Sequence, residues 1–378
     1  MDLIRKLKHY LLLSAIFPSG YAAFVNTRTP ARCLLLVLPL FFHPACLFGQ
    51  PGGKAFQFLE VTNSARVAAL GGNAIAIYDD DLDLPYLNPS LLNNGMHHHL
   101  ALNYVNYFSG INYGYASSAT KLGSGMLAGG IHYLNYGKFQ GADENGVLTG
   151  TFRAADYSVN VMYSHPLDSL FTWGVTLKSI YSDLETYNST AIAVDAGITY
   201  YDPEAKFTAA LVVRNAGWQV NTYYQNGAHE PLPFNIALSF SQGLKYAPLT
   251  FFVVADHLEK WDLTYTTEED LNEAIDPFTG ESTTKNGFDV FIDKFMRHIA
   301  VGAEINLGQN FVLRAGYNYR RRQEMKVDSK PGMVGFSWGA GVKISRYHIS
   351  YSRSAYHLAG GVNYFSFSVN LDEFSKKF

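Results

Sequence analysis

Residues 297–320 read RHIAVGAEINLGQNFVLRAGYNYR, and this stretch decides the fold. Its side chains alternate on both sides of a break at Gly308 and Gln309. The apolar rows are Ile299, Val301, Ala303, Ile305, Leu307 and Phe311, Leu313, Ala315, Tyr317, Tyr319. The polar or small rows are His298, Ala300, Gly302, Glu304, Asn306 and Val312, Arg314, Gly316, Asn318, Arg320. A period of two predicts two strands, because successive side chains of a strand point to opposite faces.

The length of these strands favours a membrane barrel. Each has about ten residues, which is enough to cross a bilayer when the strand is tilted. The apolar row ends in tyrosine, as is typical of a strand that reaches the headgroup region. A strand of a soluble sandwich can alternate in the same way, but it is usually shorter. We therefore expect a barrel hairpin whose apolar rows face lipid.

The composition of the whole chain agrees with this interpretation. The 378 residues include 26 Tyr and 26 Phe, and only 16% are charged. An ordinary soluble domain has about 25% charged residues. Mean hydropathy is −0.04, and after residue 50 no apolar run reaches the ~18 residues of a helical span. The net charge of −3 gives no indication of nucleic-acid binding.

The first segment, residues 1–49, is predicted to be a targeting signal. Arg28 and Arg32 precede an apolar run at 33–48, and Gly49 is a small residue at a plausible cleavage site, so the mature chain is expected to start near Gln50. An earlier apolar run at 10–25 makes this segment long. It indicates either a start assigned too far upstream or a second hydrophobic element, and we favour the former.

Both cysteines, Cys33 and Cys46, lie in this first segment. A mature chain would therefore have no disulfide framework and no thiolate metal site. Lipidation of Cys46 is the less favoured alternative, because His43 and Pro44 suit that signal poorly.

Residues 50–96 form a second, separate segment. It contains the pair Gly71-Gly72, an acidic run that includes Asp79, Asp80 and Asp81, and the sequence Asn88-Pro89-Ser90. The acidic run could bind calcium, but it lacks the glycine and the following glutamate of an EF-hand loop. A solvated turn or a helix-capping cluster is the favoured interpretation.

Residues 97–378 are predicted to form the barrel, with about fourteen strands. The expected spans are 98–108, 111–120, 125–136, 153–164, 171–182, 190–200, 206–215, 233–241, 249–257, 297–307, 310–320, 334–344, 347–356 and 362–371. Several charged residues within these spans fall on the polar row, as a lipid-facing apolar row requires. They include Asp156, Lys178, Asp195, Arg214, Glu304 and Arg314.

The connections between the predicted strands fall into two classes. Links after even-numbered strands are short, whereas links after odd-numbered strands include the long ones, at 137–152, 183–189, 216–232, 258–296, 321–333 and 357–361. Outer-membrane barrels have short periplasmic turns and longer outer loops. The alternation therefore predicts that both ends of the mature chain are periplasmic.

Three polar motifs could carry chemistry. His97-His98-His99 could hold a metal, but a polar strand start is favoured, since no Cys or carboxylate follows at ligand spacing. Ser118 and Lys121 match the S-x-x-K of penicillin-interacting enzymes but lack the companion motifs, so no enzyme is expected. Arg320-Arg321-Arg322 could bind glycolipid phosphates, although a basic barrel rim is favoured. We assign no catalytic residue, cofactor or metal.

The long outer links carry aromatic side chains that are candidates for partner binding. Aromatic residues are enriched at protein contacts, and they also anchor barrels at the membrane interface. Both interpretations stay open for Trp218, Tyr223, Tyr224, Trp261, Tyr265 and Phe278.

Several segments resemble the PorQ family, outer-membrane barrels of the type IX secretion system of Bacteroidetes. The similar segments include FQFLEVTNSARVAALGG at 56–72, YDDDLDLPYLNPSLLN at 78–93, LNYVNYFSGINYG at 102–114, LEKWDLTY at 258–265, GYNYRRRQEM at 316–325 and YHLAGGVNYFSFSVNL at 356–371. The glycine pair, the acidic run and Asn88-Pro89 are shared more loosely with PorV and with FadL-like transporter barrels. Those families usually have Asn-Pro-Ala where this chain has Asn-Pro-Ser.

The resemblance implies a fourteen-stranded, FadL-like barrel in which 50–96 is a hatch that plugs the lumen. It further implies a non-enzymatic role in an attachment complex with PorU and PorV. There the barrel would hold a PorZ-like surface protein that recognises anionic lipopolysaccharide. The alternative is a FadL-like channel for a hydrophobic small molecule. An apolar pocket with a path through the lumen would favour the channel.

Overall fold

The structure of the protein is a computed structural model that describes residues 54–224, 227–264, 287–325, 332–357 and 360–375. The predicted targeting segment, Tyr265 and Phe278 lie outside these ranges, so the expectations for them stay predictions.

The described residues form one closed sheet of antiparallel strands. The strands are β1 His99–Asn106, β2 Asn112–Leu122, β3 Gly125–Ala142, β4 Leu148–Pro166, β5 Phe171–Leu184, β6 Tyr187–Asp202, β7 Phe207–Asn221, β8 Asn235–Gly243, β9 Leu249–Ala255, β10 Ile299–Asn306, β11 Phe311–Asn318, β12 Phe336–Ile344, β13 Tyr347–His357 and β14 Gly360–Asn370. Each pairs with its neighbours in the sequence, and β1 closes the barrel by pairing with β14. The predicted fourteen-stranded barrel is confirmed.

The two faces of the barrel wall differ as the alternation predicted. Val301 and Leu313 on the outer face are 39% and 40% exposed, whereas Ala300 and Glu304 on the inner face are 3% and 6% exposed. Most large exposed hydrophobic side chains of the strands lie on the outer row. A surface so apolar matches the hydrocarbon core of a bilayer.

The structure differs from the predicted boundaries at the outer ends of several strands. The expected loop at 137–152 is mostly a hairpin, because β3 and β4 continue to a tight turn at 143–147. Asp143 Oδ1 closes this turn by accepting hydrogen bonds from Asn145 N at 2.9 Å and Val147 N at 2.8 Å. Stacking of Phe139 on Phe152, with ring centroids 5.3 Å apart, supports the extension. Cross-strand pairs stabilise a sheet where sequence pattern alone shows none.

Four short helices accompany the strands in the described ranges: α1 Ala65–Ala69, α2 Gly287–Met296, α3 Tyr319–Met325 and α4 Asp372–Ser375. Tyr319 and Arg320, predicted to end a strand, instead begin α3. None of the helices found in these ranges has the length and apolar character needed to span a membrane.

Residues 54–98, here called the plug segment, pack against the inner face of the barrel. They contain α1 and several 3₁₀ turns, and most of their side chains are buried, including Phe58, Leu70, Leu84 and Leu91. Pro85 and Pro89 stand in the first turn of two of these 3₁₀ elements, where a missing backbone N–H costs nothing. The lumen of the barrel is therefore occupied by its own chain.

Candidate functional site: the plugged lumen and the outer rim

Helix α1 is held close to the barrel wall by glycines on β11 and β12. A Cβ placed on Gly316 would overlap the backbone of Leu70 and Gly71, and one placed on Gly339 would lie 2.8 Å from Ala69 Cβ. Only residues without a side chain permit this approach. Small residues on the inner row thus provide the seat for the helix.

The end of α1 depends on the Gly71-Gly72 pair. Both residues have positive φ, at 95° and 97°, a region that residues with a side chain rarely adopt. This turn directs Gly71 N towards Ser337 Oγ, to which it donates at 3.1 Å. At the start of the helix, Ala65 N donates to Ser366 Oγ at 2.8 Å. The hatch glycines therefore fix the plug segment to the wall.

An ion-pair network centred on Arg66 links the plug segment to β10 and β11. Arg66 Nε and Nη2 donate to the two carboxylate oxygens of Glu304, each at 2.8 Å. Arg314 Nε donates to Glu304 Oε1 at 2.6 Å. Arg66 also contacts Asp79 at 2.6 Å and Asp81 at 3.1 Å. Bidentate arginine–carboxylate pairs combine strength with fixed geometry, so this network acts as a latch.

The acidic run forms a partly exposed turn with capping carboxylates, as expected, and has a further role that was not predicted. Asp79 Oδ1 accepts from Asp81 N at 3.1 Å, and Asp81 Oδ1 accepts from Asp83 N at 3.0 Å. Asp79 and Asp81 also neutralise Arg66, while Asp80 is exposed. Sequence reasoning missed Arg66, although it is a charged residue in a segment that is otherwise largely apolar. The pairing of Arg66 with Glu304 spans 238 residues, and no local pattern predicts it.

The Asn88-Pro89 motif fixes the plug segment to the opposite side of the wall. Asn88 Nδ2 donates to Ile75 O at 2.8 Å and to Thr199 Oγ1 on β6 at 3.0 Å. Pro89 lies against Gly174 of β5, where a side chain would overlap it. Ser90, which departs from the Asn-Pro-Ala pattern, uses its hydroxyl to contact Thr199 Oγ1 at 2.7 Å. The change to serine adds a contact.

A cavity of about 350 Å³ lies between the acidic run and the inner wall. Its lining includes Arg66, Asp79, Glu304, Arg314 and Lys343. It also reaches the β10–β11 turn at 308–310, at the barrel end predicted to be periplasmic. An apolar ligand here would remove these charges from water without pairing them, which is unfavourable. This cavity suits water and ions.

At the other end of the barrel, α2 presents an exposed apolar stripe. Phe288, Phe291, Ile292 and Phe295 are 67%, 51%, 42% and 46% exposed. Their spacing places them on one side of a helix. Trp261, itself 52% exposed, packs on Phe291 with ring centroids 5.4 Å apart. We call these five side chains the rim stripe.

Ion pairs hold the rim stripe in place. Lys294 Nζ lies 2.7 Å from Asp262 Oδ2, and Arg297 Nε lies 2.7 Å from Asp293 Oδ2. The hydrogen bond from Lys294, together with those from Thr264, lowers the pKa of Asp262. The pair therefore stays ionised at neutral pH, and α2 is attached to the segment that carries Trp261.

The structure separates the predicted outer-loop aromatics into different environments. Trp218 does not lie in a loop, because β7 continues to Asn221 and places this side chain, 65% exposed, on the outer row. Tyr223 packs against Phe56 of the plug segment, with ring centroids 6.2 Å apart. Tyr224 and Trp261 are exposed at the outer end. Among the described candidates, Tyr224 and Trp261 are therefore the exposed side chains that lie outside the strands.

The other polar motifs have structural surroundings that the sequence did not show. Asp372 of α4, distant in sequence, lies 2.5 Å from His98 Nδ1, and the tilted His97 ring lies 3.7 Å from the His98 ring between centroids. Ser118 is exposed on the outer row of β2, in a strand as predicted. Arg321 lies over the Tyr356 ring at 4.2 Å, so it is not a free rim cation.

Comparisons with known proteins gave only distant similarities. No protein-family model and no curated protein matched the sequence. Among solved structures, the chain is similar to the TodX monoaromatic hydrocarbon channel, with 12% identity, a TM-score of 0.48, and coverage of 82% of this chain and 97% of that one. A Pseudomonas aeruginosa FadL homologue gives 11% identity, a TM-score of 0.44, and coverage of 82% and 98%. The KdgM porin gives 5% identity, a TM-score of 0.32, and coverage of 72% and 98%.

Proposed function

We propose that this protein is a plugged outer-membrane barrel that serves as a surface scaffold. The observation that carries the proposal is the rim stripe, an exposed apolar surface at the outer end of the barrel. Monomeric proteins rarely expose a large apolar surface unless it binds a partner or a membrane. The latched plug segment supports a static role, since a scaffold needs no passage through the lumen.

The partner we propose follows from the sequence resemblance to the PorQ family. It is a PorZ-like surface protein within a type IX secretion attachment complex that also contains PorU and PorV. Aromatic side chains are frequent among the residues that dominate binding energy at interfaces. In this proposal the rim stripe inserts into the partner and keeps it at the lipopolysaccharide surface.

The test is the double variant Phe288→Ser/Phe291→Ser in cells of the native host. The barrel should stay at its normal level in the outer membrane, because neither side chain belongs to the barrel wall. The surface partner should move from the cell fraction to the medium. Retention of the partner would contradict the proposal.

Asp289→Asn is the matched control, since Asp289 is an exposed residue of the same helix. It removes a charge but leaves the rim stripe intact, so the partner should stay bound. Equal release by both variants would indicate that α2 itself is disturbed.

The second candidate is a channel for an apolar small molecule. It is favoured by the apolar cluster around Phe58, where Phe56, Tyr113, Leu134 and Ile180 surround the start of the plug segment. If the first residues of the plug segment moved away, they would expose an apolar surface inside the outer end of the barrel. The test is uptake of an apolar solute by proteoliposomes that contain the protein. Uptake that is the same in the double variant Phe288→Ser/Phe291→Ser would favour the channel over the scaffold.

A further inference from the structure

Arg353 is a strand cation that faces away from the lumen. Lys178, Arg214 and Arg314 lie on the inner row and pair with Asp195, Asp256 and Glu304 at 2.7, 3.2 and 2.6 Å. Arg353 of β13 is exposed, while Ser352 and Ser354 on either side are fully buried. Arg353 therefore points out of the barrel wall, among residues that face lipid.

The position of Arg353 along the barrel axis explains why a cation is tolerated on the outward face. β13 starts after the short turn at 345–346, at the end predicted to be periplasmic, and Arg353 lies just beyond the middle of the strand. Its Nε approaches Gly361, the second residue from the outer end of β14, so the side chain extends toward the outer end of the barrel. A charge on the lipid face is costly at mid-bilayer and tolerated near the headgroups. The guanidinium is thus placed at the level of the outer-leaflet headgroups.

The neighbours of Arg353 leave most of its donors available. Its Nη1 donates to Asn363 Oδ1 at 3.3 Å, and Tyr351 Oη donates to the same oxygen at 2.9 Å. Both neighbours are neutral. The Asn363 amide nitrogen, which can donate two hydrogen bonds, lies on the same outward patch. An arginine fork beside an amide matches the oxygens of a phosphate group.

An apolar groove adjoins this polar patch. A cavity of about 300 Å³ is lined by Val334, Phe336, Trp338, Arg353 and Gly361. Trp338 and Phe336 are 50% and 47% exposed on the outer face. Gly361 keeps the groove open, because a Cβ there would lie 3.0 Å from Arg353 Nε. The arginine side chain lies along the glycine, with the groove beside it.

We propose that the outer face of β12–β14 binds a phosphorylated, acylated lipid of the outer leaflet. Arg353 and Asn363 bind its phosphate, and an acyl chain lies in the groove beside Trp338. The charge complementarity of Arg353 selects an anionic lipid, and the groove selects one with acyl chains. This site is separate from the rim stripe and does not depend on the proposed scaffold role.

The experiment measures binding of diphosphoryl lipid A to the delipidated, detergent-purified full chain by native mass spectrometry. Arg353→Gln should weaken binding about tenfold, as expected for loss of one charge-assisted contact. Arg353→Lys should restore part of the affinity, since it keeps the charge without the fork. Gly361→Leu, which fills the groove, should also weaken binding.

Two controls make the result decisive. Arg153→Gln removes another exposed arginine, on β4, which does not line the groove, and it should leave affinity unchanged. Dephosphorylated lipid should bind the unaltered protein weakly, a result that needs no variant to fold. Equal binding by Arg353→Gln and the unaltered protein would overturn the proposal. Tight binding of dephosphorylated lipid, or full displacement by inorganic phosphate, would do the same.

Discussion

At the scale of the residue, the row that a side chain occupies decides what it tolerates. Val301 faces lipid, whereas Val312 faces the charged cavity and is half-buried. A place on the inner row does not make Ala300 tolerant of arginine, because Ala300 is 3% exposed and packs among plug residues.

Val301→Arg should therefore lower the fraction of protein that assembles, since a cation on the lipid-facing row costs free energy, up to about 2–4 kcal/mol at mid-bilayer. Val312→Asn should assemble normally, because its amide meets water in the cavity. The fraction of heat-modifiable barrel on a gel measures both. Equal loss in the two variants would mean that the rows are assigned to the wrong faces.

A second residue, Glu304, pairs with the side chains of both Arg66 and Arg314. Glu304→Ala should lower the stability of the plugged state by about 3 kcal/mol. This is the lower end of the range for breaking a buried ion pair, because Arg66 would still pair with Asp79 and Asp81. Faster hydrogen exchange at 65–72 reports the loss. Glu324→Ala is the control. It removes a partly exposed ion pair, in which Arg320 Nε lies 3.9 Å from Glu324 Oε1, and it should change hydrogen exchange at 65–72 little.

At the scale of the element, α1 is too short to be stable alone. Its five residues are far fewer than the ~12–15 that an isolated helix needs in water. Ser64 caps its start by accepting from Val67 N at 3.4 Å, and the wall glycines give it a close seat. The helix exists because the barrel holds it.

Gly316→Ala should displace α1 and cost about 1–3 kcal/mol, as overpacking does in a filled interior. Gly129→Ala is the matched control, because no atom lies within 4 Å of a Cβ at that outward position. Thermal unfolding in detergent compares the two. An unchanged Gly316→Ala variant would show that the plug segment does not approach the wall this closely.

At the scale of the whole molecule, the plug segment contacts strands on opposite sides of the barrel. Ser337 and Ser366 bind α1, and Thr199 binds Asn88. The inner wall and the plug segment therefore form one packed unit. The cavity beside the acidic run is charged and small for a fourteen-stranded barrel.

The purified barrel should accordingly show little steady ion conductance in a planar bilayer. Adding Arg66→Ala to Glu304→Ala should produce intermittent openings, because both central members of the latch are absent. The double variant Phe288→Ser/Phe291→Ser should conduct as the unaltered protein does. Large, stable conductance in the unaltered protein would contradict a closed lumen.

The sequence by itself determined the strand count, the closed barrel and the row that faces lipid. This was possible because a two-residue period is a local property, and because a membrane forces apolar side chains onto one face of every strand. The inward placement of Lys178, Asp195 and Glu304 followed from the same rule. The ends of β3, β4 and β7 did not follow from it, because strands above the membrane are held by cross-strand contacts.

Only the tertiary structure decided which charges meet. Arg66 and Glu304 are 238 residues apart, and Asp372 reaches His98 only because the barrel closes between β1 and β14. Tyr223 proved to contact the plug segment, and Arg353 proved to adjoin a lipid-facing groove. Such contacts depend on strand register and on how the plug segment folds inside the barrel. A periodic pattern specifies the face of a side chain, but not the neighbour across the lumen.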